Sequence, residues 1–166
     1  HIATMDSGSD NLWYNRLDTT TDTLLLGSSP VDVTTSQGSL SINAATANHS
    51  LTKGTDGELY IAIADNSDRF VVSCSGSCNL SSNWAEVGSG TFMDADEDRT
   101  IMIPLDGGSI MLINRDISAD DIRSKIWNGT SWSASWQVID SNAPENNSYD
   151  IQMSAVRSPE TGDVIL

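Results

Sequence analysis

The sequence predicts an all-β fold built from three similar four-stranded antiparallel units. Short apolar runs recur along the chain, each bounded by Gly, Asp, Asn, Ser or Pro, as expected for strands separated by tight turns. No apolar pattern with helical spacing continues over three turns. A strand segment that begins at a glycine and ends at an aspartate occurs three times, which indicates an internal repeat.

The repeated segment contains a strand ending in aspartate, a polar turn and a second strand. Successive terminal aspartates lie 59, 51 and, counted through the chain ends, 56 positions apart, so the three intervals use all 166 residues. The copies are Gly57–Asp65 with Asp68–Ser73, Gly108–Asp116 with Asp121–Trp127, and Gly162–Leu166 continued by His1–Asp6 with Asp10–Asn15.

Each copy is flanked by a preceding and a following strand. The preceding strands are Ser50–Lys53, Thr100–Pro104 and Ile151–Arg157, and the following ones are Thr23–Gly27, Trp84–Gly88 and Trp136–Asp140. Four antiparallel strands in about 50 residues is the pattern of a β-propeller blade. We predict one 1–166 unit with blades at 40–90, at 91–141, and at 1–27 completed by 148–166. A β-sandwich with coincidental repetition is the alternative.

Three blades are fewer than the roughly four to eight that close a propeller ring. We therefore expect half of a six-bladed ring or one unit of a longer tandem repeat, with Leu166 and His1 continuing one strand between copies. An arbitrary fragment is the other interpretation. Open lateral faces would bind further copies head to tail, closing a ring or extending into a filament.

This blade pattern resembles the sialidase-type (BNR-like) β-propellers of secreted bacterial or archaeal proteins. Trp127–Trp132 is similar to the W-N-G-x-x-W turn of many such blades. The resemblance implies a propeller and, for the enzymes, three arginines that hold a carboxylate and a tyrosine nucleophile with a glutamate partner. Arg99, Arg157 and Lys53 lie at loosely equivalent places to the arginines, whereas Tyr14, Tyr60 and Tyr149 are better interpreted as strand residues. The Asp-box S-x-D-x-G-x-x-W is not matched, because the nearest segment, Ser7–Trp13, lacks its glycine.

Cys74 and Cys78 lie four positions apart across a glycine-bearing turn. That spacing allows a local disulfide, whereas zinc or an iron–sulfur cluster would need two further ligands. A disulfide would place the protein outside the cell or at its surface. Two free thiols are the alternative.

Three further groups of residues are candidate sites. Asp94, Asp96 and Asp98 alternate in one loop, as carboxylates around a Ca²⁺ ion can, or form a solvated acidic loop. Trp127 and Trp132 could offer flat faces to a glycan or could pack between blades. N-x-S/T sequons, which would be glycosylated only in a secreted protein or could occur by chance, lie at Asn48, Asn79, Asn128 and Asn146.

The net negative charge of the chain excludes some classes of binding partner. Lysine and arginine total 8 against 23 aspartate and glutamate, a net charge of −15, which argues against nucleic acid and anionic membranes. No apolar run is long enough to span a membrane. We predict an extracellular structural or interaction module that associates with copies of itself or binds a surface ligand such as a glycan, with Ca²⁺ its one candidate cofactor. The alternative is a sialidase-like glycoside hydrolase.

Overall fold

A computed structural model describes residues 1–6, 8–34, 42, 47–64, 69–88, 97–116, 118–142 and 153–166. Within these ranges the chain forms β-strands and two short 3-10 turns, Ser81–Asn83 and Asp106–Gly108, and no α-helix. The strands are β1 (Ile2–Asp6), β2 (Asn11–Asn15), β3 (Leu17–Asp18), β4 (Thr23–Leu24), β5 (Val31–Asp32), β6 (Asn48–Lys53), β7 (Leu59–Ala64), β8 (Arg69–Cys74), β9 (Trp84–Glu86), β10 (Glu97–Pro104), β11 (Ile110–Asp116), β12 (Asp121–Trp127), β13 (Gln137–Asp140), β14 (Val156–Arg157) and β15 (Val164–Ile165).

These strands form several small antiparallel sheets, so the all-β prediction is confirmed. The first sheet has the order β1–β2–β5, the second β6–β7–β8–β9 and the third β10–β11–β12–β13. Two-stranded hairpins form from β3 with β4 and from β14 with β15. Two of the three predicted four-stranded units are therefore present as sheets, and the sheets do not close into a ring.

The predicted third unit differs from the structure. β14 and β15 pair with each other and do not join the sheet of β1, so residues 1–27 and 153–166 form no common four-stranded sheet. The predicted outer strand Thr23–Gly27 is also replaced: Thr23–Leu24 pairs with Leu17–Asp18, and Val31–Asp32 pairs with β2.

The side chain of Asn15 explains the changed outer strand. Its Oδ1 accepts hydrogen bonds from the Arg16 and Leu26 amides, at 2.8 and 3.2 Å, and its Nδ2 donates to the Gly27 carbonyl at 3.3 Å. These bonds hold the two ends of the 16–27 segment together. The segment therefore leaves the sheet as a small hairpin before the chain returns at β5.

The three sheets stack face to face around β7, whose six side chains are all nearly or fully buried. Leu59, Ile61 and Ile63 pack against Leu12, Tyr14 and Val33 of the first sheet region. On the other face, Tyr60, Ala62 and Ala64 pack against Met102, Ile110 and Leu112 of the third sheet. A continuous apolar strand is expected where both faces of a sheet are covered. The stack is therefore blade-like, with one core on either side of the second sheet.

The hairpin that joins a preceding strand to its repeated strand occurs three times. In each copy the amide of the first turn residue donates a 2.8 Å hydrogen bond to a carbonyl at the other side of the turn. The donors are Gly54, Leu105 and Ser158. β10 lies between β6 and β14, which places the three hairpins side by side. We call β6, β10 and β14 the inner strands.

The aspartate that ends the repeated strand caps the following turn. Oδ1 of Asp6 and of Asp116 accepts a 2.9 Å hydrogen bond from the amide two residues later, and Asp18 does the same before β4. Each turn closes on a second aspartate with positive φ: Asp10 at 53°, Asp22 at 51° and Asp120 at 52°. Aspartate is one of the few residues enriched in this left-handed region. The D-x-x-x-D spacing is thus a turn signal, and the copy at Asp18 was not predicted.

A disulfide joins Cys74 and Cys78, with the two Cα atoms 5.8 Å apart. It closes the loop between β8 and β9, and both cysteines are buried in the core between the first and second sheets. The Trp84 indole donates a 3.1 Å hydrogen bond to the Cys78 carbonyl, so the bridged loop also positions the first residue of β9.

Replacing both cysteines with alanine should lower the free energy of unfolding by about 2 kcal/mol, because a five-residue loop is no longer closed in the unfolded chain. Urea unfolding of the variant, of the oxidised protein and of the reduced protein measures this. Alkylation of two thiols in the unreduced native protein would contradict the bridge.

Candidate functional site

Hydrogen bonds join the turns of the inner hairpins to one another, and we call these contacts clasps. Thr55 Oγ1 donates to the Leu105 carbonyl at 2.9 Å and accepts from the Gly108 amide at 3.0 Å. Asp106 accepts two hydrogen bonds from Arg157, at 2.9 and 2.6 Å, in the bidentate geometry that suits guanidinium. Thr55 and Asp106 each lie two residues after the end of an inner strand. We call this place in the turn the clasp position.

Lys53, Arg99 and Arg157, the residues expected to hold a carboxylate, are not brought together. Arg157 is ion-paired with Asp106, and Lys53 is exposed at the end of β6. Arg99 lies opposite Arg115 near the start of β10, five residues before the strand end, or roughly 16 Å along an extended chain. This spacing does not form a three-cation clamp.

Tyr60 lies beside two acidic residues. Its buried hydroxyl lies 3.1 Å from Glu58 Oε2 and 3.2 Å from Asp56 Oδ2 and donates toward both. Burial, followed by the repulsion of the two carboxylates, raises the pKa of Tyr60 far above its ordinary value. A phenol held protonated ties the turn to its strand and is poorly suited to be a nucleophile.

Side chains of β6 reach backbone groups on both neighbouring sheets. Asn48 Oδ1 accepts from the Thr100 amide at 3.2 Å, and Ser50 Oγ accepts from the Met102 amide at 3.1 Å. In the other direction, His49 Nε2 donates to the Ala3 carbonyl of β1 at 3.0 Å. These bonds satisfy edge groups of β1 and β10 that have no ladder partner on that side.

The candidate modification and metal residues lie in different environments. Asn79 and Asn128 are exposed in turns, while Asn48 is half-buried and engaged with β10. Asn146, Asp94 and Asp96 fall outside the described residues, as does the side chain of Asp98. Across the part of the chain that the structure describes, no group of three or more His, Cys, Asp or Glu could hold a metal ion. The Ca²⁺ and glycosylation sites remain predictions.

Trp127 and Trp132 face each other across a tight hairpin. Their ring centroids are 5.5 Å apart, and the Asn128 side chain caps the turn between them. Trp132 Nε1 donates to the Val87 carbonyl at 3.2 Å, and both rings pack against the core between the second and third sheets. Both rings are partly buried, and their contacts are those of the packing alternative.

A third tryptophan, Trp136, directly precedes β13 and lies beside two cations. The Arg123 guanidinium carbon is 4.7 Å from its ring centroid and the Lys125 Nζ is 5.2 Å away, within cation–π range. Arg123 also forms a 2.6 Å ion pair with Asp116. These contacts fasten β12 to the residue preceding β13.

The first sheet and the β14–β15 hairpin are complementary in what each lacks. The second and third sheets each place an inner strand beside the strand that ends in the repeated aspartate. Among the described residues, β1 has no such neighbour, and β14–β15 is an inner pair with no outer strands. Val156 and Ile165 of that hairpin are 60% and 59% exposed.

Comparison with known proteins identifies no family for this chain. No protein-family model matches it, sialidase-type repeats included, and no curated protein matches it significantly. A distant structural similarity is found to the solved structure of a fucose lectin from Kordia zhangzhouensis in complex with methyl-fucoside. The identity is 12% and the TM-score 0.45, over 82% of this chain and 90% of the lectin. In the described residues, no helix has the length and apolar character needed to span a membrane.

Gly88 allows Trp132 to approach the second sheet. Its φ is +77°, and a Cβ there would lie 2.5 Å from Trp132 Cδ1, whereas Gly76, at φ +85°, has no atom within 4 Å of such a Cβ. G76A should cost about 1–2 kcal/mol of stability from backbone strain alone. G88A should cost about 1–3 kcal/mol more, because it also overpacks the contact. Equal losses in urea unfolding would show that Trp132 is not held by this contact.

The Asp106–Arg157 clasp should make stability depend on acid. Hydrogen bonds from Arg157, reinforced by its charge, lower the pKa of Asp106. A carboxyl with a lowered folded pKa contributes stability above its unfolded pKa of about 3.9, and this is lost as pH falls through the folded value.

Thermal unfolding between neutral pH and strong acid tests this dependence. The difference in stability between the wild type and D106N should shrink as pH falls below about 4. D22N, which changes an exposed carboxylate outside the clasp, is the control. A D106N profile parallel to that of the wild type would mean that the clasp does not stabilise the fold.

Proposed function

We propose that this protein is an extracellular, non-catalytic structural module, a propeller-like repeat that extends its stack of sheets by binding a further copy of itself. The observation that carries the proposal is the complementarity of the first sheet and the β14–β15 hairpin. One has an outer part without an inner strand, and the other is an inner pair without outer strands. In the proposed contact, the hairpin of one copy completes the first sheet of the next.

The pairing within the chain supplies the register for this contact. Arg157 pairs with Val164 as Lys53 pairs with Leu59, so β14–β15 matches the turn end of the complete β6–β7 hairpin, across a turn that is one residue longer. Continued in that register, the chain before Val156 would run antiparallel to β1 of the neighbouring copy. Adding a strand to an open sheet edge is a common mode of recognition, in which main-chain hydrogen bonds supply the affinity.

Apolar burial and charge set the strength of such a contact. Val156 and Ile165 are mostly exposed in the single chain, and full burial of an aliphatic side chain contributes about 1.5–3 kcal/mol. A net charge of −15 on every copy opposes association, so added salt should favour it. The contact joins different surfaces and is therefore heterologous, which leads to a closed ring or to a filament.

The disulfide bears on the compartment, and the tryptophan, arginine and tyrosine contacts bear on the alternative activities. A disulfide persists in oxidising surroundings, which supports an extracellular location. The packing of Trp127 and Trp132 against the core gives the glycan-binding alternative no support from these two rings. The separation of Arg99 from Lys53 and Arg157, together with the raised pKa of Tyr60, gives the hydrolase alternative no support.

Sedimentation velocity over a range of protein concentrations tests the proposal. We expect species larger than one chain, either one fixed oligomer, as in a ring, or a growing series, as in a filament. V156K and I165K should reduce association strongly. L80K, at a similarly exposed leucine in the β8–β9 loop, should not. Thermal unfolding of each variant establishes that it is folded. A wild-type chain that stays monomeric at all concentrations would refute the proposal.

A further inference from the structure

We infer that Lys53 of one copy forms an ion pair with Glu160 of the neighbouring copy. This inference rests on the proposed function and names a specific pair of residues within it. Both residues lie at the turn end of the inner hairpins, where the clasps within the chain also lie.

The clasps follow a positional rule. The clasp position of one hairpin contacts the hairpin that follows it in the stack: Thr55 reaches the turn after β10, and Asp106 reaches Arg157 at the end of β14. The second clasp joins an acid in one turn to the basic residue that ends the next inner strand. In the proposed assembly, the β14–β15 hairpin would be followed by the β6–β7 hairpin of the next copy.

Lys53 matches Arg157 in this geometry. Each is the last residue of an inner strand and pairs with the first residue of the repeated strand, Lys53 with Leu59 and Arg157 with Val164. Arg157 is held by Asp106, whereas Lys53 is exposed and forms no ion pair within the part of the chain that the structure describes. A cation is therefore present where the next clasp would end.

Glu160 supplies the acid for that clasp. The clasp position of the third hairpin is Pro159, whose side chain can neither donate nor accept a hydrogen bond. Its turn runs from Ser158 to Asp163, one residue longer than the turns after β6 and β10, and exposed Glu160 comes next after Pro159. The carboxylate of Glu160 thus lies one position after the clasp position, in a turn that has one additional residue.

The order of the hairpins makes this pair intermolecular. β10 lies between β6 and β14, with contacts to both, so the β10–β11 hairpin separates Lys53 from Glu160 of the same chain. A second copy placed by strand completion would bring its β6–β7 hairpin next to β14–β15. The two charges would then be neighbours in the way that Asp106 and Arg157 are.

A charge-reversal cycle, measured as the dissociation constant of self-association, tests the pair. K53E and E160K should each weaken association by about two- to fivefold, the range expected for an exposed ion pair, and K53E/E160K should restore it. The E160K result is especially informative, because this change makes the chain less negative and would strengthen association if only net charge mattered. The difference between the single and double variants should shrink at high salt.

R16E is the matched control for K53E, because it makes the same charge change at an exposed arginine away from the inner hairpins. If K53E and R16E have equal effects, E160K does not weaken association, and the double variant restores nothing, the ion pair is refuted while strand completion stands. If the wild-type chain does not associate, both the pair and the proposed function are refuted.

Discussion

The structure depends on the burial of the second sheet on both faces. The six residues of β7 are between 0 and 3% exposed, with Leu59, Ile61 and Ile63 on one side and the smaller Ala62 and Ala64 with Tyr60 on the other. A sheet that is apolar on both faces cannot be stable alone, because burial of apolar area is the main favourable contribution to folding. It needs a sheet on either side, and the first and third sheets take those places. The side-by-side order of the inner strands, the clasps between turns and the packing of Trp132 on Gly88 are all consequences of that stacking.

The sequence predicted the parts of this fold that depend on local chemistry. The strands of the second and third sheets coincide with apolar runs that are bounded by turn residues. The spacing of Cys74 and Cys78 allows the local disulfide that the structure contains. The 16–27 segment shows where such reasoning fails. Its Leu24–Leu26 run has the composition of a strand, yet Leu24 and Leu25 are about half exposed. Hydrogen bonds from Asn15 to both ends of the segment decide its path, and nothing in the apolar pattern indicates them.

The candidate site was less predictable, because its contacts join residues far apart in sequence. Asp106 and Arg157 are separated by 51 positions, and Thr55 reaches a turn 50 positions away. No local motif marks such a pair. The tandem alignment did contain usable information, since Lys53, Pro104 and Arg157 end equivalent strands. The resemblance to sialidase-type blades instead predicts a carboxylate clamp for Lys53 and Arg157, because the enzymes of that type hold a carboxylate with arginines. A comparison of turn positions between repeats would have identified the clasps.

The aspartate-capped turns bear on the solubility of the protein. Each of the three aspartate-capped turns uses one aspartate to accept backbone hydrogen bonds and a second that adopts positive φ. Together they contain six of the 23 acidic residues. About a quarter of the acidic residues are therefore explained by how the chain reverses direction. An array lengthened by adding such units gains negative charge in proportion to its length. Long arrays would repel one another side by side while each remains continuous along its own axis, which favours thin, separate assemblies over bundles.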